Sequence, residues 1–259
     1  SVAAPRRRRF ALRILSLALG AALGVACVGS ALAPILVPDS REVDMGRTIV
    51  TQLESAEDFH LLGDAEVDAY VNEIAQRVLA ASPVQRQFPF TFKVCVNDQI
   101  NAFALPGGFC YVQTGLITAA ENEAQLVGVI AHEVSHVTCG HHREQLANQA
   151  LIQTAQGMVF DSRSQESEAD RVGAEAMARA GWNPRGLRDF FAALEAAGHS
   201  GSGGRLGQML STHPSNPARV AQLDQMIAAM GNVDQLALDS GRFHQIQARV
   251  TQLTQAGTP

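Results

Sequence analysis

Two histidines and a glutamate stand close together near the middle of the chain, in the order His132-Glu133-Val134-Ser135-His136. On a helix, residues four apart lie on one face, so both imidazoles can reach one ion, and neutral imidazole suits zinc. Glu133 sits one position further round, where it can take a proton from zinc-bound water and pass it to a leaving amine. The motif therefore predicts a hydrolase with one zinc ion per chain and Glu133 as its catalytic base.

A third protein ligand is expected, because catalytic zinc sites use three and leave the fourth position for water. The candidates lie in Glu166-Ser167-Glu168-Ala169-Asp170. Glu166 and Asp170 are four apart and share a helix face, whereas Glu168 points away from them. One of the pair can bind the metal while the other orients an imidazole, and the longer reach of glutamate mildly favours Glu166. The alternative for each acid is a solvated helix face.

Four further motifs make the pattern more specific. These are Asn101-Ala102-Phe103-Ala104-Leu105-Pro106-Gly107-Gly108, Gly115-Leu116, His141-His142 and His213-Pro214. With the histidine and acidic motifs, the chain resembles the gluzincin metallopeptidases of family M48, the HtpX, Oma and BepA type, over roughly residues 40–225. The resemblance implies a zinc endopeptidase in which His132, His136 and Glu166 bind zinc. It also implies that Asp170 supports the site, that Glu168 is not a ligand, and that cell-envelope proteins, unfolded or misfolded, are the substrates.

Substrate contacts are also suggested by the resemblance, which places Asn101–Leu105 near the metal. Many zincins bind substrate as an added strand at a sheet edge, so Asn101, Ala102, Phe103 and Ala104 are candidate substrate-binding residues. An ordinary hairpin is the alternative.

The motif that begins at His213 leaves several roles open. His213 can polarise the scissile carbonyl, or it can occupy the fourth zinc position and restrain activity. Arg219 can stabilise the oxyanion or pair with an acid near the zinc. The alternative is that His213-Pro214 only caps the next helix. His141 and His142 are expected to face solvent.

The N-terminus has the features of an export signal or membrane anchor, which we assign to residues 1–37. Arg6 to Arg9 precede an apolar stretch from Phe10 to Val37, and a bilayer span needs about 20 such residues. Basic residues before the span place the N-terminus in the cytoplasm and the rest on the periplasmic side of a bacterial inner membrane. Either the protein stays anchored through residues 10–37, or it is released to the periplasm.

Three processing signals are weighed in this segment. Cleavage after Ala31-Leu32-Ala33 has the small-x-small form, but Pro34 disfavours it. A lipoprotein signal acylated at Cys27 is the weaker reading, because Gly24 stands where leucine is usual. Arg7-Arg8-Arg9-Phe10 weakly resembles a twin-arginine signal.

Composition excludes some partners. Apolar residues make up 46 % and charged residues 17 % of the chain, so the bulk is globular rather than disordered. The net charge is −5 even with the N-terminal arginines, so the globular part is acidic and argues against nucleic acid. Cys95 and Cys110 can form a disulfide in an exported protein or remain two buried thiols.

Periodicity predicts a peptidase domain over residues 38–259 that is α+β and mainly helical, with a small sheet before the H-E-x-x-H helix. Helices are expected over 39–80, 121–142, 145–160, 164–180 and 187–197 and in most of the tail from Pro217. Strands are expected over 88–96, 101–105 and 109–114. The Gly/Ser-rich stretch 198–207 is expected to be a mobile loop.

Overall fold

The computed structural model of the protein describes residues 33–34, 36–152, 162–199 and 204–256. Its elements are α1 (Asp39–Glu54), α2 (Ala65–Ala81), β1 (Thr91–Cys95), β2 (Ala102–Leu105), β3 (Phe109–Gln113), α3 (Thr114–Ala119), α4 (Glu123–Thr138), α5 (His141–Ile152), α6 (Ser162–Arg179), α7 (Arg185–His199), α8 (Gly207–Thr212), α9 (Pro217–Ala229) and α10 (Gly241–Ala256). The sheet precedes the helix that carries H-E-x-x-H. The predicted class, α+β and mainly helical, is confirmed.

The sheet has three strands in the order β1-β3-β2, with β1 parallel and β2 antiparallel to the central β3. Side chains alternate between its two faces, so Cys110 joins the main core under the helices while Cys95 packs in a smaller cluster on the other face. The two sulfurs are therefore separated by the sheet, and Cys95, Cys110 and Cys139 are free thiols. Cys95 and Cys110 are therefore two buried thiols and do not form the disulfide that was the other alternative.

The helix α4 is the centre of the domain, because every one of its residues from Glu123 to Thr138 is buried. It begins at Asn122, whose side chain accepts a hydrogen bond from the backbone N–H of Gln125 at 3.0 Å. Its neighbours α6 and α7 approach closely at glycines. A Cβ added at Gly186 of α7 would lie 2.3 Å from the carbonyl carbon of Ala124. This close packing holds α6 and α7 at fixed positions beside the two histidines of α4.

Two of the predicted helices are each divided in the structure. The predicted helix 39–80 is wrong at its middle, since residues 55–64 separate α1 from α2. The predicted helix 121–142 is wrong at its end, since α4 stops at Thr138 and Gly140 has a φ of +81°. Such a left-handed residue ends a helix and turns the chain, and glycine adopts it without the strain of a Cβ. The chain then starts α5 at His141 in a new direction.

The short helices α3 and α8 were not predicted. Six-residue helices carry too little periodicity to be recognised in a sequence. The helix α8 begins inside the stretch predicted as the loop 198–207, and α7 extends into that stretch as far as His199. Arg205, between them, donates to the carbonyl oxygen of Asp98 at 2.6 Å and accepts from the N–H of Ile100 at 2.7 Å. Residues 200–203 lie outside the described residues.

The predictions for residues 1–32, including cleavage, acylation of Cys27 and the twin-arginine signal, lie outside the described residues. Just beyond them, Ala33 and Val37 are buried against Ala147 of α5. Within the described residues, no helix is both long and apolar enough to cross a bilayer.

Candidate metal centre

The two histidines of the motif project from one face of α4 toward a single point. His132 is fully buried and His136 nearly so. Their Nε2 atoms are 3.0 Å apart, as expected for residues one helical turn apart whose rings converge. The sequence expectation that both imidazoles can reach one ion agrees with this geometry.

The helix α6 supplies two carboxylates to the same region. The oxygens of Glu166 lie 3.3 Å from Nε2 of His132 and 3.3 Å from Nε2 of His136. One turn further along, Asp170 lies on the other side of His132, with its Oδ1 2.9 Å from Nδ1 of that ring. Glu166 and Asp170 thus reach opposite nitrogens of one imidazole.

The hydrogen-bonding pattern at these rings fits a bound cation. Because an ionised Asp170 only accepts, the proton of neutral His132 belongs on Nδ1, and Nε2 carries a bare lone pair. That lone pair faces the Nε2 of His136 and the carboxylate of Glu166, and with His213 these groups bring four ligand atoms within 4.8 Å of one another. Converging lone pairs repel unless a cation lies between them. A histidine and carboxylate set of this kind suits zinc.

The pKa values of His132 and Glu166 reflect the buried carboxylates and imidazoles that surround them. Burial opposes protonation of His132, but the carboxylates of Asp170 and Glu166 raise its pKa to about 9. Burial favours the neutral form of Glu166, but when the rings of His132, His136 and His213 carry protons toward it, their hydrogen bonds hold its pKa far below the usual range. The pocket is therefore an environment in which a positive charge is stabilised.

His213 joins the centre from the end of α8. Its Nδ1 lies 3.0 Å from Nε2 of His132 and 3.1 Å from Oε2 of Glu166, while its Nε2 lies 3.2 Å from Oε1 of Glu133. A neutral ring carries its proton on one of these two nitrogens and leaves the other bare. Capping of the next helix is done by Asn216, whose side chain accepts from the N–H of Arg219 at 3.0 Å.

Glu133 lies beside the four-atom group on the same helix as the histidines. Its Oε2 accepts a hydrogen bond from the N–H of Ala104 in β2 at 3.2 Å. Burial raises the pKa of Glu133 above its usual value, although the nearby His213 and His132 oppose this. A carboxylate with a raised pKa is a stronger base, which suits proton transfer near neutral pH.

Arg219 connects α9 to both carboxylates of α6. It donates to the two oxygens of Asp170 at 2.7 Å each and contacts Glu166 at 3.0 Å. Its guanidinium also donates to the carbonyl oxygen of Pro214 at 3.0 Å and stacks 3.6 Å above the ring of Phe191. Of the two roles left open for Arg219, this geometry agrees with the pairing to acids near the metal centre.

His141 and His142 do not both face solvent as expected. His141 is 2 % exposed, and its Nδ1 lies 2.8 Å from Nδ1 of His136. Its Nε2 lies 3.2 Å from Oε2 of Glu168, an acid that is half exposed. His142 is partly buried. The expectation for His141 is wrong because Gly140 turns the chain back, so this ring folds against α4.

Three of the four candidate substrate-binding residues lie in β2, an outer strand of the sheet, and Asn101 immediately precedes it. The N–H of Gln113 bonds the carbonyl of Asn101, so by the alternation of an antiparallel ladder the amides of Ala102 and Ala104 point away from β3. The bond from Ala104 to Glu133 agrees with that direction. Phe103 packs with Tyr111 on the opposite face, and the side chain of Asn101 is buried.

The family model of peptidase family M48 matches residues 65–162 and 150–227, which cover more than half of the chain. The chain belongs to peptidase family M48. The resemblance inferred from the sequence motifs is thus confirmed.

Curated relatives fall into two groups. The beta-barrel assembly-enhancing protease of Escherichia coli K12 is 30 % identical in an alignment of 213 positions that covers 70 % of this chain and 42 % of that protein. The mitochondrial metalloendopeptidase OMA1 of Schizosaccharomyces pombe is 27 % identical over 61 % of this chain and 52 % of its own length. The bovine OMA1 is 26 % identical over 66 % of this chain and 43 % of its own. The chain spans about half the length of these relatives or less.

Proposed function

We propose that the protein is a zinc-dependent endopeptidase in which His132, His136 and Glu166 hold one zinc ion. The observation that carries the proposal is the convergence of two bare imidazole nitrogens and a carboxylate within 3.3 Å of one another, with Glu133 beside them. Membership of a peptidase family supports the same conclusion. When bound, zinc supplies the Lewis acidity that polarises the scissile carbonyl and makes water more acidic.

The residues of the chain then have distinct tasks. Glu133 takes the proton of the attacking water and delivers it to the leaving amine, for which its buried position and raised pKa suit it. Asp170 fixes the Nδ1 proton of His132 and so keeps Nε2 bare for the metal. Arg219 holds Asp170 and Glu166 in place through its fork of N–H groups.

Substrate binds, in this proposal, as an extended strand along the free side of β2. The N–H of Ala102 points to that side, while that of Ala104 donates to Glu133 and those of the alternate residues pair with β3. Main-chain pairing gives little sequence preference, which suits unfolded substrates. Replacing Ala102 with proline removes one such N–H and should raise KM several-fold with little change in kcat. An unchanged KM would contradict pairing at this edge.

His213 occupies the place where water and substrate must enter. Its Nδ1 lies among the ligand atoms and its Nε2 contacts the proposed catalytic base, which supports a closed, resting arrangement in this proposal. Activity then requires His213 to leave, taking with it the segment whose Pro214 carbonyl is bonded to Arg219. We expect His213→Ala to raise turnover of a short peptide if the residue only blocks the site. A fall in kcat would instead assign it to polarisation of the scissile carbonyl.

We further propose that the substrates are unfolded or misfolded proteins of the cell envelope. The apolar stretch from Phe10 to Val37 supports export or anchoring on the periplasmic side, and the name of the Escherichia coli relative concerns assembly of beta-barrel proteins. The competing function is a zinc-containing chaperone or scaffold with little proteolysis. The intact Glu133 argues against it, because a binding protein has no need of a general base.

Casein hydrolysis tests the proposal. The zinc-loaded full-length chain in mild detergent is compared with its Glu133→Gln variant, and zinc content is measured for both. Cleavage by the first alone, with equal zinc content, supports the endopeptidase and the role of Glu133. If neither cleaves at about one zinc per chain, His213→Ala separates a closed enzyme from a scaffold. Equal cleavage by both would contradict the assignment of Glu133.

A further inference from the structure

A chain of three side chains extends outward from the second histidine of the metal centre. It runs from His136 on α4 to His141 at the start of α5, and from His141 to Glu168 on α6. We propose that His141 and Glu168 form a positioning pair that fixes the tautomer and orientation of His136 for metal binding. The inference rests on the proposed zinc site and adds two residues to it.

The position of each proton in this series of three side chains follows from Glu168, its outermost member. An ionised Glu168 only accepts hydrogen bonds, so its contact with Nε2 of His141 at 3.2 Å places the proton of neutral His141 on that nitrogen. The Nδ1 of His141 is then bare and accepts from His136 across 2.8 Å. His136 must therefore carry its proton on Nδ1. Its Nε2 is left bare, facing Glu166 and the Nε2 of His132.

The two metal-binding histidines are thus supported differently. The ring of His132 reaches a buried carboxylate, Asp170, directly, while that of His136 reaches the half-exposed Glu168 through a second imidazole. Ligating histidines almost always donate their other N–H to such a partner, and loss of the partner typically lowers metal affinity or activity 10–100-fold. His141 is the only partner of the Nδ1 of His136 among the described residues.

A second metal ion is the competing use of the same residues. Cys139, His141 and Glu168 bring ligand atoms within 4.8 Å of one another. A metal on Nε2 of His141 would leave that ring with its proton on Nδ1, directed at the Nδ1 proton of a zinc-bound His136. The two donors would face each other at 2.8 Å. The positioning pair and a second metal therefore exclude one another, and zinc stoichiometry distinguishes them.

The test uses the full-length chain in mild detergent, stripped of metal. Zinc Kd is measured by competition with a chromogenic chelator, Co²⁺ spectra report ligand geometry, and thermal melts of the metal-free chain report folding. The Asn side chain places an oxygen where Nδ1 of histidine stands, whereas Gln places its amide nitrogen where Nε2 stands. We expect His141→Gln and His141→Ala to weaken zinc binding about 10–100-fold and His141→Asn to retain most of it. Melts of the metal-free variants should not follow that order.

Glu168→Lys tests the proton order from the other end. A lysine donates to Nε2 of His141 and would reverse the order of hydrogen-bond donors and acceptors from residue 168 to His136. We therefore expect zinc binding about tenfold weaker than in the wild type and an altered Co²⁺ spectrum. Glu175→Lys makes the same charge change two turns further along α6 and should weaken zinc binding much less. His142→Ala is the control for α5 and should leave the zinc Kd and the Co²⁺ spectrum close to those of the wild type.

Three results would overturn the inference. One is an unchanged zinc Kd in both His141→Gln and Glu168→Lys. Another is equal loss in the Asn and Gln variants of His141, which is the result of a packing role alone. The third is two zinc ions per wild-type chain, of which His141→Ala removes only one. A wild-type chain that takes up no zinc would instead refute the proposed function, and the inference with it.

Discussion

The pair formed by Arg219 and Asp170 offers the sharpest test of how the centre is held together. The side chains are 6 % and 2 % exposed, and two bonds of 2.7 Å join them. Burial favours a neutral Asp170, but the bonds from Arg219 and His132 hold its pKa below the usual range. Replacing Arg219 by methionine fills the volume but leaves a buried carboxylate without its main partner.

The expected loss follows from that unpaired charge. Removing one partner of a buried ion pair costs about 3–5 kcal/mol, because the remaining charge has lost both its water and its counterion. For a chain of this size, each kcal/mol lowers Tm by about 2–4 °C, so Arg219→Met should melt roughly 6–20 °C lower. Arg219→Lys keeps the charge but not the fork of donors, and we expect an intermediate loss.

The assay is thermal and urea unfolding of the metal-free full-length chain, followed by circular dichroism. Arg188→Met is the matched control, since Arg188 makes a similar forked contact with Asp224 at the surface, at 2.8 and 3.2 Å. A surface pair of this kind contributes about 1 kcal/mol or less. The double variant with Asp170→Asn should be less destabilised than the sum of the two single changes by at least ~1 kcal/mol.

Additive losses, or a loss for Arg219→Met no larger than that for Arg188→Met, would refute the reasoning. Either result would mean that Asp170 is solvated or protonated in the folded protein. The support that Asp170 gives to His132 would then need another explanation.

The remaining predictions concern packing, pH and metal removal. Gly186→Ala should destabilise by about 1–3 kcal/mol in urea unfolding, since its Cβ would overlap the backbone of Ala124, whereas Gly207→Ala, with nothing within 4 Å, should change stability by less than about 1 kcal/mol. Hydrogen bonds from Arg249 hold the pKa of Asp64 at about 2, below its unfolded value near 3.9, so this pair stabilises fully above about pH 5 and is lost as pH falls toward 2. The stability difference between wild type and Asp64→Asn, up to about 1 kcal/mol, should therefore shrink over that range, and a difference that is undiminished at pH 2 would contradict it. Free zinc at about 100 times its Kd should add about 2.7 kcal/mol, and a chelator should remove this increment from the wild type but not from a chain that lacks His132.

The parts of the site set by local geometry could be predicted from the sequence. The spacing of His132 and His136 determines their common face wherever a helix forms, and the same holds for Glu166 and Asp170. Each pair needs only the 3.6-residue period. The sheet was also predictable, because β1 lies in an alternating run rich in Phe and Val and because turn residues separate the three strands. The predicted helix ends were less accurate, because residues 55–64, which separate α1 from α2, include few residues that typically end a helix.

The parts that depend on a change of chain direction could not be predicted in the same way. His141 lies five residues after His136, a spacing that on a continuous helix would place the two rings on different faces. The left-handed Gly140 ends α4, and His141 then folds back to within 2.8 Å of the ring of His136. A glycine followed by two histidines after an apolar helix was the available signal, since it combines a helix stop with groups that can bond a ligand.

The same reasoning separates the two cysteines of the sheet. Cys95 and Cys110 lie in adjacent strands, which made a disulfide plausible, but the pairing of Phe92 with Cys110 sets Cys95 three residues further along and on the other face. Alternate residues of a strand face opposite sides of the sheet, which the sequence shows. The register between strands is set by their pairing, which the sequence does not show. Register also determines which amides of β2 point away from β3. A shift of one residue would turn Ala104 away from Glu133, so the contact between the outer strand and the proposed catalytic base depends on the Pro-Gly-Gly turn that sets this register.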